Sequence, residues 1–209
     1  MRTDQSRAMA MYNGSGTMVT QPLSEKSELE AQAGEKEMAS EESERIKASV
    51  KEWFSREGTK VESISNPRAE FLFKVKFMRF FFSVVRPNEQ QHIQVESQVM
   101  ISPQHLKVLT AEKMREFQMQ VLKFSFENGI NLGFIQPRPG QPKGQGPPGP
   151  GFVVSDRIYD DGFSEDRLWQ TMRRLHSAVD MAIAILNEIT GQKGGKVPDT
   201  TQEGPSYYT

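Results

Sequence analysis

The feature that most constrains this chain lies near its C-terminal end. Leu168, Met172, Leu175, Val179, Ala182, Leu186 and Ile189 recur at spacings of 4, 3, 4, 3, 4 and 3. That repeat draws one apolar stripe along an α-helix. Ser164 precedes it as a cap, Glu165 and Asp166 suit the positive end of the helix dipole, and Gly191 closes it. At ~1.5 Å per residue the segment Ser164–Thr190 spans about 40 Å. So long a stripe demands a broad apolar surface beneath it.

The preceding residues supply that surface as strands. Phe71, Phe73, Val75 and Phe77 alternate with Leu72, Lys74 and Lys76, the period-two pattern of a strand with one wet face. Phe80, Phe81, Phe82, Val84 and Val85 follow. The stretch Glu70–Arg86 is long for one strand, so a bend or bulge is expected near Met78–Arg79. After a turn at 86–89, Ile93, Val95, Val99 and Ile101 alternate again. Val61–Ile64 reads as a short strand ahead of these, and Ile130–Gln136 and Phe152–Tyr159 as two more.

Two further helices complete the pattern. Ile46, Val50, Trp53 and Phe54 share a face of a helix over about Glu41–Glu57, with Gly58 behind it. Ser102-Pro103 starts another that reaches about Glu127, with a break expected near Thr110 and a buried stripe of Met114, Phe117, Val121 and Phe124. The expected class is α+β: an antiparallel five-stranded sheet with helices packed on it, in the order α-β-β-β-α-β-β-α.

Composition sets the limits of that domain. Apolar residues are only 36% of 209, and mean hydropathy is −0.60, so polar segments dilute an ordinary core. Residues 1–40 hold no Phe, Trp or Ile, too little to offset the entropy of ordering them. They are expected to be a disordered tail, with Met38 an alternative start. Residues 192–209 are expected to be a second tail. The single domain is then 41–191, interrupted by a mobile Pro/Gly loop at 137–151 that holds six of the twelve prolines. Its accidental GxGxxG lacks the flanking strand and helix of a phosphate loop.

Several function classes drop out. With 26 basic and 27 acidic residues the chain lacks the basic excess of a general nucleic-acid or membrane-surface binder. The absence of cysteine removes disulfides, thiolate metal sites and Cys nucleophiles. No run of apolar residues is long enough for a transmembrane helix and no signal peptide is visible, so a cytoplasmic protein is expected. The three histidines, His92, His105 and His176, show no metal-binding spacing. No cofactor is implied.

Two alternatives to a plain binding module remain. Asp156, Asp160, Asp161 and Glu165 cluster between a strand end and a helix start, where carboxylates could hold a divalent metal for a hydrolase or nuclease. Helix-cap and turn chemistry explain the same residues without a metal. Lys74, Lys76 and Arg79 interleave with phenylalanines, as in a sheet that stacks single-stranded nucleic acid. No RNP1 motif is present, and alternation puts the lysines opposite the phenylalanines of their own strand.

The segments IKASVKEWF, FLFKVKF, FFFSVVRP, HIQVESQVMIS-P, FSFENGINLGF and FVVSDRIYDDG, in this order, resemble the type III secretion chaperone-like fold. More narrowly they resemble an uncharacterised, mainly archaeal family of that fold, of unknown function. The resemblance covers about residues 41–191. It implies a non-enzymatic chaperone-like module, since known members of the fold are small acidic homodimers that hold unfolded segments of partner proteins. Residues 43–191 carry 20 basic and 17 acidic side chains, so the acidic character is not reproduced. No site residue transfers.

Self-association as a homodimer is the remaining expectation. Trp169, Ile183 and Ile185 lie off the main stripe of the last helix, and Leu72, Phe80 and Phe82 do not all fit one face with Phe71 and Phe73. A helix or strand apolar on more than one side needs more than one packing surface. These six residues are therefore the expected protein interface.

Overall fold

Alternation makes the strands of this protein, and the turn residues decide where each one reverses. The computed structural model describes residues 25–136 and 149–192. The chain divides into two units, 1–42 and 43–209. Helix α1 runs Glu25–Arg56, so the division falls within it. It begins well before the expected Glu41. The expectations for 1–24, for 193–209 and for most of the Pro/Gly loop (137–148) lie outside the described residues. Gly58, at φ 68°, ends α1 in the left-handed conformation, and the Thr59 amide donates to the Phe54 carbonyl.

The sheet follows. Strands β1 (Val61–Ser63), β2 (Ala69–Phe77), β3 (Phe80–Pro87) and β4 (His92–Met100) precede helices α2 (Pro103–Val108) and α3 (Ala111–Glu127). Strands β5 (Asn131–Ile135) and β6 (Gly151–Tyr159), a 3-10 turn (Asp160–Gly162) and helix α4 (Glu165–Thr190) complete the described chain. The sheet is antiparallel throughout, in the order β1-β2-β3-β4-β6-β5.

It has six strands where five were expected. The segment Glu70–Arg86 does not bend; it reverses. Met78 adopts φ 54°, and Phe77 pairs directly with Phe80 across a two-residue turn. A left-handed residue in so short a loop matches the twist of the paired strands, which a simple kink would not.

That reversal settles the phenylalanines. Phe82 lies opposite Val75 and Phe80 opposite Phe77, so both project to the side of Phe71, Phe73 and Val75. They belong to the core at 1% and 0% exposure. Leu72 is the exception, because it pairs with Val85 on the other face. Both are buried yet stand outside the main core.

The helices cover one side of the sheet. Ile46, Val50 and Phe54 of α1, Phe117 and Val121 of α3, and the α4 stripe from Leu168 to Leu186 close over Phe73, Val84, Val95 and Val154. Each large side chain removed from water in this way contributes roughly 1.5–3 kcal/mol before entropy is counted. The break between α2 and α3 falls at Leu109-Thr110. It forms because Ser102 and Thr110 each cap a helix, accepting from the amides of His105 and Lys113. Ser164 caps α4 in the same way, and Gly191 ends it at φ 70°. No helix among the described residues is long and apolar enough to cross a membrane.

Candidate functional site

The acidic stretch between β6 and α4 is dispersed by arginines. Asp156 sits on the helix side of β6 and binds Arg174 of α4. Asp160 opens the 3-10 turn and receives two hydrogen bonds from the Arg86 guanidinium, at 2.7 and 2.8 Å. Glu70 accepts a third from Arg86 at 2.9 Å. Arg86 is only 3% exposed. Burial works against its charge, but Asp160 and Glu70 outweigh that and hold its pKa above the ordinary value. Glu165, in the first turn of α4, binds Arg56 and accepts from the Trp169 indole. The Arg56 hydrogen bond holds the Glu165 carboxyl below the usual carboxylate range. Asp161 is exposed.

Three of the four expected metal candidates, Asp156, Asp160 and Glu165, therefore point to different partners, and the fourth, Asp161, is exposed. Among the described residues no group of three His, Asp or Glu side chains is placed to hold a metal ion. A sequence cluster became separate ion pairs because β6, the 3-10 turn and α4 each present their acid to a different neighbour.

The histidines are separated too. His105 is buried at 4%, with Nδ1 2.6 Å from the Ser102 hydroxyl and Nε2 2.9 Å from the Asn187 side-chain oxygen. It ties α2 to α4. His176 of α4 lies beside Phe77 and Phe80, with Nδ1 3.5 Å from Asp180. His92, at 7% exposure, stacks near Tyr159. Burial first, then the nearby Arg157 and Arg86, push its pKa down against the pull of Asp160.

The expected interface residues lie inside their own domain. Phe80, Phe82 and Leu72 are buried, as is Ile183 at 8%. Trp169 is half-buried, with its ring 5.0 Å from Phe54 and 5.9 Å from Phe77. Ile185 is half-buried against the core. The surplus surface that Phe80, Phe82, Trp169, Ile183 and Ile185 were expected to offer is taken up by the domain's own core, while Leu72 is buried on the other face of the sheet.

Among the described residues, three exposed apolar side chains line up on α3 instead. Phe117 and Val121 face inward at 0% and 1%, joined by half-buried Met114 and Phe124. Met119, Leu122 and Phe126 project from the opposite side, at 65%, 43% and 89% exposure. Their spacing of three and four residues makes them a second stripe on the same helix. Arg115 extends it by one turn and is exposed. This stripe was readable as spacing within AEKMREFQMQVLKFSFE. What the spacing did not tell is which of two apolar faces the sheet would take.

The sheet face away from the helices carries the other unexpected juxtaposition. Lys76 pairs with Phe81 across β2 and β3, and both point away from the helices. The Lys74 and Lys76 ammonium groups stand 5.0 and 6.0 Å from the Phe81 ring centre, within cation–π range. Phe81 is thus the one residue of its triplet that shares the lysine face. Arg79, expected to join them, is bound to Asp180 of α4.

Comparison with known proteins fits this architecture. Residues 46–186 match the family model described as uncharacterized conserved protein (DUF2299). The chain belongs to this family. Among solved structures it is similar to an uncharacterized protein from Methanothermobacter thermautotrophicus, with 21% identity and a TM-score of 0.57. That match covers 68% of this chain and 97% of the other, and it shows a shared fold. A weaker likeness, at a TM-score of 0.44 and 12% identity, is to YbjN, a putative transcription regulator from E. coli. It covers 66% of this chain and 89% of that one. No curated protein matches the chain.

Proposed function

We propose that this member of the family is a non-enzymatic, chaperone-like protein-binding module whose docking surface is the outward stripe of α3. The observation that carries the reading is Phe126, a phenylalanine held on a regular helix at 89% exposure with Leu122 and Met119 beside it. Leaving such a stripe in water is costly, and apolar groups aligned on a rigid helix are the usual anchors of helix-mediated recognition. Arginine pairing of Asp156, Asp160 and Glu165 supports the same reading, since it leaves those carboxylates committed to structure. The reading assigns no catalytic residue and no cofactor, and places the protein in the cytoplasm.

The test is suppression of aggregation of a heat-unfolding substrate protein by stoichiometric amounts of the full chain. Protection by the wild type and its loss in Phe126→Asp are expected. Absence of protection, or equal protection by the variant, overturns the reading.

The Lys74, Lys76 and Phe81 grouping favours a second reading, a single-stranded nucleic-acid surface on the sheet face away from the helices. It predicts oligonucleotide binding that weakens steeply with salt and falls in Phe81→Ala. The bland account is that lysine stems shield the ring from water.

A further inference from the structure

The outward stripe of α3 is self-complementary when two copies are set antiparallel. We infer that its partner is the α3 of a second copy of this chain, an inference that rests on the docking reading above. Place two α3 helices face to face about a twofold axis between Met119 and Leu122. Met119 of one copy then meets Leu122 of the other, and Arg115 meets Phe126. Arg115 is exposed and has no ion-pair partner among the described residues, so its guanidinium is free to lie over the Phe126 ring of the second copy.

The flank of the stripe gives the same orientation. Glu116 and Lys123 project on one side of it, because both are displaced the same way around the helix from Met119 and Phe126. In an antiparallel pair, like flanks meet in reverse order. Glu116 of each copy is then set near Lys123 of the other, so two ion pairs form for each dimer. Lys123 stands 4.0 Å from Glu127 in its own helix, an exposed contact it can share. Parallel pairing would instead bring this flank against Ala111 and Gln118 of the other copy and leave Lys123 without a carboxylate opposite it. Twofold symmetry closes the assembly at two copies.

The interface would be small. Helix α3 has 17 residues, so it is about 25 Å long. A single helix pair of that length falls at the low end of specific interfaces, and dissociation in the micromolar range is expected.

Sedimentation equilibrium of the full chain from about 1 to about 200 µM reads this directly. The expected result is reversible conversion from a 23.7 kDa monomer to twice that mass. Phe126→Asp should weaken association about tenfold or more, and its exposure lets the variant keep the wild-type circular dichroism. Glu116→Lys should weaken it, and Glu116→Lys with Lys123→Glu should restore it. A wild type monomeric throughout, a dimer indifferent to Phe126→Asp, or a charge swap that fails to rescue would overturn the antiparallel pairing. A monomeric wild type that still protects an unfolding substrate through Phe126 would remove the second copy and leave the docking reading intact. A dimer disrupted by Phe126→Asp but without protective activity would uphold the pairing and remove the chaperone-like reading.

Discussion

Helices α3 and α4 are adjacent in the fold and both apolar on more than one side, yet they end in different situations. Helix α4 lies over the sheet, packs beside α2 and α3, and buries ten residues along its length. It is also fastened by charge: Arg174 to Asp156 on β6, Asp180 to Arg79 of the β2–β3 turn, and Glu165 to Arg56 of α1. Helix α3 stands at the end of the sheet against β5 and α4, and buries Phe117, Val121 and Ser125. Its ion pair Lys123–Glu127 runs within the helix itself. An apolar side chain is therefore surplus only where no neighbouring element reaches it. On α4 neighbours reach Ile183 and Trp169; on α3 nothing among the described residues covers Phe126.

The sharpest test of this contrast is truncation on each helix. Leu175→Ala empties a fully buried site on α4 and should cost about 2–5 kcal/mol in urea unfolding. Phe126→Ala should change the stability of the isolated monomer by about 0.5 kcal/mol or less. A large loss at Phe126 in dilute solution would mean that the stripe is covered within the chain.

Charge is the next test. Asp156→Asn removes the negative charge that Arg174 pairs with to hold α4 to the sheet, and about 1–3 kcal/mol should be lost. Asp161→Asn, at an exposed position, should cost about 0.5 kcal/mol or less. If Asp161 proved the more sensitive, the acidic stretch would be acting as a unit.

Hydrogen exchange should separate the two helices without any mutation. Amides in the middle of α4 should exchange only with global unfolding, whereas those on the outer side of α3 should exchange through smaller local openings. Equal protection in both would show that α3 is as firmly held as α4.

The smallest effect concerns pH. His92 has its pKa lowered in the fold by burial and by Arg157 and Arg86, so the unfolded chain binds more protons as pH falls below about 6.5. Its contribution to stability is thus present above that value and is lost on acidification through the lower, folded pKa. Urea midpoints at pH 7 and pH 5 should differ less in His92→Asn than in the wild type. Helix α3 carries no histidine, so the Phe126→Asp variant should keep the wild-type pH dependence.

Particular residues show how much of this was legible beforehand. The α4 stripe, its Ser164 cap and its Gly191 stop were all readable, because they depend on neighbours within one or two turns. So was the break at Thr110, which rests on a cap three residues long. The Met78–Arg79 reversal was visible as an irregularity, yet not as a hairpin. Its turn has no glycine or asparagine, and the φ of 54° at Met78 is held by strand pairing rather than by residue preference. The separation of Asp156, Asp160 and Glu165 was not legible, because their partners Arg174, Arg86 and Arg56 come from other elements.

The sequence by itself determined which segments are helix and which are strand, where most of them stop, and that α4 is apolar on more than one side. Periodicity, caps and turn residues are local and carry that information without a fold. Only the tertiary structure decided which faces would be dry. That choice depends on the order β1-β2-β3-β4-β6-β5, which sets α4 across the sheet and leaves α3 at its end with one side of the helix turned to water.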